Sequence, residues 1–182
     1  MSGMKLSEEQ LEAVRLLRNA ELDARNGLNE ELFLMISALT PIPNVDLLVV
    51  NEKNQLLLSR RNDPFFDKSW HIPGGCIRYG EELETRIQQT AMRELGSRVE
   101  FDREPIAVRN VLRKDNPDLL HPRERGHHIA ILYRCRLPEN YEPDNTGRSE
   151  NDNGYLKWFD RLPQDLLEIQ HIYDDVLTPW RG

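Results

Sequence analysis

Apolar residues recur at helical spacing at the start of the chain and then alternate at strand spacing. Ser7-Glu-Glu-Gln10 carries a capping-box pattern, and Leu11, Val14, Leu17 and Leu22 follow at roughly helical intervals, with Arg18 interrupting the stripe. This predicts a first helix that ends near Asn26-Gly27, and a second, shorter one over about 29–38 that stops before Pro41. Residues 45–50 and 55–59 predict two strands around an Asn-Glu-Lys-Asn turn, followed by a loop over 60–74. A charged helix is expected over about 82–95, and a strand over 106–111. Two long polar loops, 113–126 and 140–154, flank the alternating run 128–137, where Ile129, Ile131, Tyr133 and Cys135 share a face. A strand over 155–159 and a helix from Pro163 to about Leu177 complete the pattern. Strands mixed with helices predict an α/β fold with a mixed sheet between helical layers.

At 182 residues the chain has the size of one domain with a decorated end, and can bury a real core. A net charge of −7 excludes a general binder of nucleic acid or anionic membrane, while leaving room for an anionic ligand held by a locally cationic site. Two cysteines, Cys76 and Cys135, are too few for a disulfide framework and are read as reduced. The most apolar window, 32–50, is broken by Pro41, Pro43 and Asp46 and cannot span a bilayer. With no apolar leader-like segment in the first residues, a cytoplasmic location is expected.

The segment Gly75 to Gly96, introduced by Trp70-His-Ile-Pro-Gly-Gly75, carries the chemistry. Wound as a helix, Leu83, Ile87, Thr90 and Ala91 make a core-facing stripe, and Glu94 falls on the same stripe in the last turn before Gly96. Burial and the helix macrodipole both disfavour a carboxylate there, so Glu94 needs a cation. Either an arginine such as Arg60 or Arg61 supplies it, or a divalent metal does. Gly74 and Gly75 would let a backbone carbonyl approach the same ion. Arg60 and Arg61, at a strand end, read either as a bidentate phosphate clamp or as a solvated strand end. Trp70 reads as core.

This segment resembles the Nudix box, whose pattern is G-x5-E-x7-R-E-U-x-E-E-x-G-U with U aliphatic. Gly75, Glu81, Glu94 and Gly96 match at the required spacing; Gln89, Thr90, Arg93 and Ser97 stand where the pattern has Arg, Glu, Glu and an aliphatic residue. Thr90-Ala-Met-Arg-Glu-Leu-Gly96 is similar to the helix end of one branch, the GDP-mannose mannosyl hydrolases, which also lacks those two glutamates. The resemblance covers about 29–180 and implies an α/β/α Nudix sandwich over 27–182, with residues 1–26 as an added helical extension that covers a surface or supports a homodimer.

The resemblance further implies an enzyme that uses Mg²⁺, with Mn²⁺ as an alternative, to hydrolyse a nucleotide sugar of the GDP-mannose or GDP-glucose kind. It implies the Gly74 carbonyl, Glu94 and Asp152 as metal ligands, Arg61 as the group that stabilises the departing nucleoside diphosphate, and Asp46 as a sugar ligand. Two arginines of the branch are replaced by Cys76 and Gln89, and Arg78 or Arg93 is placed to substitute for one of them. The branch's metal-binding Gln and its general-base His fall on Asp152 and Asn153. An amide cannot take up a proton at useful pH, so Glu150, Asp152, His121, His127 or His128 must serve as base if the branch chemistry holds. His127-His128 has no third ligand at zinc spacing. Two rival readings stand beside this one: hydrolysis of a different nucleoside diphosphate-X compound, and a non-catalytic nucleotide-sugar-binding module.

Overall fold

The computed structural model describes residues 5–20, 22–63, 66–112 and 127–181. Helix α1 (Glu8–Asn19) starts where expected: the Ser7 hydroxyl accepts the Gln10 N–H, and the Gln10 side chain accepts the Ser7 N–H in return. It ends about two turns early, at Asn19, and a 3-10 turn over Ala24–Asn26 leads to α2 (Glu30–Leu39), capped by Asn29. No side chain of α1 is buried, and Leu11, Val14, Leu16 and Leu17 stay exposed.

Strands β1 (Ile42–Val49), β2 (Leu56–Asp63), β3 (Phe66–His71) and β4 (Gly74–Cys76) precede α3 (Leu83–Leu95), with β5 (Glu100–Phe101), β6 (Ala107–Leu112), β7 (His127–Arg136) and β8 (Leu156–Phe159) after it. In a five-stranded mixed sheet β1 lies between β4 and β7, antiparallel to β4 and parallel to β7, while β5 and β6 pair with β7. A second, antiparallel sheet runs β3-β2-β8. The α/β class with a mixed sheet is as expected.

Alternation along β1 and β2 divides the core in two. Val45, Leu47, Val49 and Leu57 pack against Ile87, Ala91 and Leu95 of α3. Leu48, Leu56 and Leu58 face the other way, onto Trp70, Tyr173, Leu177 and Trp180. Trp70 is therefore core, with Phe159 set edge-on at 4.8 Å. The same parity sends neighbouring polar residues to opposite faces, which separates Arg60 from Arg61.

Two expectations give way. The loop over 60–74 is instead the end of β2, all of β3 and the start of β4, a hairpin whose polar composition hides it from a hydrophobicity pattern. The helix expected from Pro163 to Leu177 is a set of turns with 3-10 pieces at Glu168–Tyr173 and Thr178–Trp180. Backbone pairing overrides the helical stripe there: Trp70 donates its N–H to the Asp165 carbonyl, and the Leu167 N–H donates to the Trp70 carbonyl. Those bonds hold the start of the segment extended. Among the described residues no helix is long and apolar enough to cross a membrane.

Candidate active site

Two glycines bring β4 against β1 and α3. A Cβ on Gly74 would sit 2.3 Å from Asp46 Oδ1 and 3.0 Å from the Val45 carbonyl; one on Gly75 would sit 2.6 Å from Thr90 Oγ1. Neither position has room for a side chain. Helix α3 brings Thr90 and Arg93 of its later turns back against this turn and stops at Gly96, whose φ of 69° is the left-handed conformation of a helix terminator.

Between α2, the β4 turn and the last turns of α3 lies a cleft of about 830 Å³. Phe33, Ile36, Ile42, Pro43 and Tyr79 contribute apolar wall; Arg61, His71, Arg78, Arg93, Glu94 and Asn153 contribute polar groups. Ala24 and Gly27 reach the rim, and Arg78 Nη1 donates to the Arg25 carbonyl at 3.2 Å, so the amino-terminal segment is tied to the site.

The cation that Glu94 requires is Arg93. Its Nε donates to Glu94 Oε1 at 2.9 Å and its Nη2 donates to the Gly74 carbonyl at 2.9 Å. The expected arginine partners, Arg60 and Arg61, do not make this contact. Arg60 lies on the other face of β2, buried, with Nη1 on Asp165 and its guanidinium 5.1 Å from the Trp70 ring centre. A clamp formed by Arg60 and Arg61 together is thus divided by strand alternation, and only Arg61 lines the cleft.

Beneath the cleft, an ion pair fixes the start of α3. Arg86 places Nη2 2.6 Å from Glu81 Oε1 and Nε 2.8 Å from Oε2, and Nη2 also donates to Gln89 Oε1. The Arg86 and Glu81 side chains are 2% and 8% exposed, and Glu81 accepts the Arg78 N–H as well. Burial raises the Glu81 pKa, but the bonds from Arg86 and the Arg78 backbone outweigh it and leave the group below its ordinary value. Gln89 stands where the box pattern has arginine. The guanidinium has moved one turn back along the helix, to Arg86, a substitution that spacing i to i−3 makes legible once the helix is drawn.

Other expected residues lie elsewhere. Asp46 is buried on the Tyr173 side of β1 and does not line the cleft. Its two oxygens accept the Tyr173 hydroxyl (2.7 Å) and the Asn44 amide (2.6 Å). Burial pushes its pKa to about 6, against the pull of those two bonds. Asp152 does not line the cleft either: its Oδ2 accepts the Ser149 N–H and hydroxyl, which hold the carboxyl below its ordinary range. Asn153 does line it, with Oδ1 accepting the Asn62 N–H at 3.3 Å. Of the base candidates, Glu150 pairs with Lys157, His127 bonds Asn110, His128 lies on β7, and His121 falls outside the described residues. The cleft holds instead His71, at the end of β3, which sequence reasoning passed over inside a supposed loop. Its Nδ1 lies 2.9 Å from the Ile72 carbonyl. A carbonyl only accepts, so Nδ1 carries the proton and Nε2 is the basic nitrogen of the neutral ring.

The donor set does not fit a divalent ion as it stands. Gly74 and Glu94 already share the Arg93 guanidinium, and Asp152 is turned to Ser149. Among the described residues no three His, Cys, Asp or Glu side chains group to hold a metal. Thr90, where the box pattern has a glutamate, offers a buried neutral hydroxyl with no hydrogen-bond partner among the described residues.

The NUDIX domain family model matches residues 40–175. The chain belongs to the Nudix family, and its class is Nudix hydrolase. It is 25% identical over 127 residues to a MutT-like protein from Streptomyces ambofaciens, a match that covers 69% of each chain. Its fold is similar to a MutT Nudix hydrolase from Burkholderia pseudomallei (TM-score 0.55, 21% identity, 73% of this chain and 95% of that one). It is also similar to a MutT/Nudix family protein from Enterococcus faecalis (TM-score 0.51, 17% identity, 96% and 73%). Nudix hydrolases generally use divalent metals such as Mg²⁺, which makes the Arg93 arrangement a departure for this chain.

Proposed function

We propose that this chain hydrolyses a nucleoside diphosphate joined to a second group, with a nucleotide sugar of the GDP-mannose or GDP-glucose kind as the substrate. The observation that carries this reading is the cleft itself, where Arg61, Arg78 and Arg93 face an apolar wall that includes Phe33 and Tyr79. Arginine forks suit phosphate oxygens, and the wall suits a base or sugar face. In this reading Arg61 and its neighbours neutralise charge on the departing diphosphate, while His71 Nε2 takes the proton of the attacking water. The expectation of Mg²⁺ or Mn²⁺ rests on the family; the donor set here gives no step to route through it. Asn153, at the place where the similar branch has its histidine, favours the second reading, a binding module without turnover.

Reaction in heavy-oxygen water separates the readings. With GDP-mannose, the expected products are GDP and free mannose carrying the label, because the box lacks the extra carboxylates associated with attack at phosphorus. GMP and mannose 1-phosphate with label on a phosphate would place the chain with the alternative diphosphate-X hydrolases. Binding with no product would support the module.

A homodimer through α1 is the remaining proposal. Leu11, Val14 and Leu17, each at least 40% exposed, form an uncovered stripe on α1. Sedimentation of the full chain against one lacking residues 1–19 is expected to show a dimer reduced to a monomer. Equal sedimentation would leave the stripe without a dimer role.

A further inference from the structure

We infer that the Arg93 guanidinium is the resident cation of this cleft, occupying the seat between the Gly74 carbonyl and Glu94 that a divalent ion would need, so that the site binds a nucleoside diphosphate without metal. The ligand class rests on the function proposed above; the cation assignment rests on geometry alone. Arg93 is adjacent to Glu94 in sequence, and a surface pair between neighbours would mean little. Here the guanidinium also reaches back across 19 positions to the Gly74 carbonyl. Glycine at position 75 leaves the guanidinium room, since a Cβ there would stand 3.1 Å from Arg93 Nη2. The seat is built from two elements, and the glycine shapes it.

Charge points the same way. Where the box pattern has two glutamates, this chain has Thr90 and Arg93, so the local charge changes from −2 to +1, a difference of three. A hard divalent ion is typically held by carboxylates that offset its charge. One carboxylate that already answers an arginine is a poor trap for it. The same change makes the site attractive to a diphosphate directly. Of the five N–H groups of a guanidinium, Glu94 and Gly74 take two. Nη2 also lies 2.9 Å from Glu94 Oε1, which leaves Nη1 as the nitrogen without a hydrogen bond among the described residues, and Arg93 is half exposed on the cleft wall. Charge-assisted contact with a phosphate is then open to Nη1, with Glu94 and Gly74 fixing the plane of the guanidinium.

Two measurements on the full chain test this. Calorimetric titration with GDP in EDTA is expected to show binding whose Kd Mg²⁺ changes by less than about threefold, against the tenfold that 1.4 kcal/mol represents. The electron paramagnetic resonance signal of Mn²⁺, titrated with protein alone, is expected to stay that of the free ion. Arg93→Glu, which places a second carboxylate beside Glu94, is expected to weaken GDP binding in EDTA by about 10- to 100-fold, the scale of a lost charge-assisted contact. It should also create a Mn²⁺ site that Glu94→Gln in the same chain removes. Arg93→Gln, with circular dichroism to confirm its fold, isolates loss of the cation from gain of a carboxylate, and should weaken GDP binding without creating the site. Stoichiometric Mn²⁺ binding by the parent chain that Glu94→Gln abolishes, or GDP binding seen only with Mg²⁺, would overturn the inference. Failure to bind GDP under any condition would overturn the ligand class instead, and the Mn²⁺ titration would still decide the cation.

Discussion

Replacing Arg86 with alanine is expected to lower the unfolding free energy by about 3–5 kcal/mol, among the largest effects of any single substitution in this chain. The guanidinium itself is not the source of so large a cost. Glu81, only 8% exposed, would be left with its charge unmatched, and Gln89 would lose the donor it now accepts. Urea titration at two pH values separates the pair from simple packing. In the parent chain the Glu81 pKa is held below its ordinary value. Its stabilising contribution is therefore complete above the unfolded carboxyl pKa and fades as pH falls through the lower folded one. In Arg86→Ala the bonds from Arg86 are gone and only Arg78 still opposes burial, so the folded Glu81 pKa rises from its position in the parent. The variant's deficit should then be widest at neutral pH and shrink as pH falls through that raised value, so that the two curves converge in acid. A constant gap at both pH values would show that Arg86 contributes through its packed stem alone. Replacing both partners with apolar residues, Glu81→Leu with Arg86→Met, should recover most of the loss, since the penalty lies in the orphaned charge rather than in the absence of the pair.

That ion pair also marks how far the chain could be understood from sequence. Gly75, Glu81, Glu94 and Gly96 were legible because each is locally obligatory: two by backbone geometry, one by its place at the start of α3, and one by a helical stripe that runs out at a terminator. The need of Glu94 for a cation followed from burial and the macrodipole. That Arg93 meets it did not, because residues i and i+1 on a helix normally diverge, and the contact depends on a turn 19 positions away. Arg86 was hidden for a different reason. The pattern places its arginine at position 89, and a swap by one turn preserves geometry while breaking spacing. The β2-β3 hairpin escaped because a polar strand has no hydrophobic period, and with it went His71. The carboxy-terminal turns were misread because their apolar stripe fits an α-helix, whereas pairing with Trp70 decides the backbone. Local chemistry was visible; what depended on tertiary contact was not.

Substituting glutamine for His71 is expected to lower kcat by about 10²- to 10⁴-fold with little change in KM, the usual cost of losing a general base. The expectation follows from proton bookkeeping at one ring. The Ile72 carbonyl, 2.9 Å from Nδ1, can only accept, so that nitrogen keeps its proton and Nε2 holds the basic lone pair. Among the other described residues lining the cleft, Arg61, Arg78, Arg86 and Arg93 cannot act as bases near neutral pH, Asn153 is an amide, Glu94 is engaged by Arg93, and Glu30, at the start of α2, is the one carboxylate left as a rival. A pH-rate profile of the parent chain should therefore show a rising limb that disappears in His71→Gln. Position 153 supplies an internal control, since it lines the same cleft as His71. Adding Asn153→His to His71→Gln should restore part of the rate and bring back a rising limb. Adding it to the parent should change the rate little, because a base is already present. If His71→Gln turns over like the parent, His71 is not the base. If Asn153→His alone accelerates the parent by orders of magnitude, the cleft lacked a working base and the binding-module reading prevails.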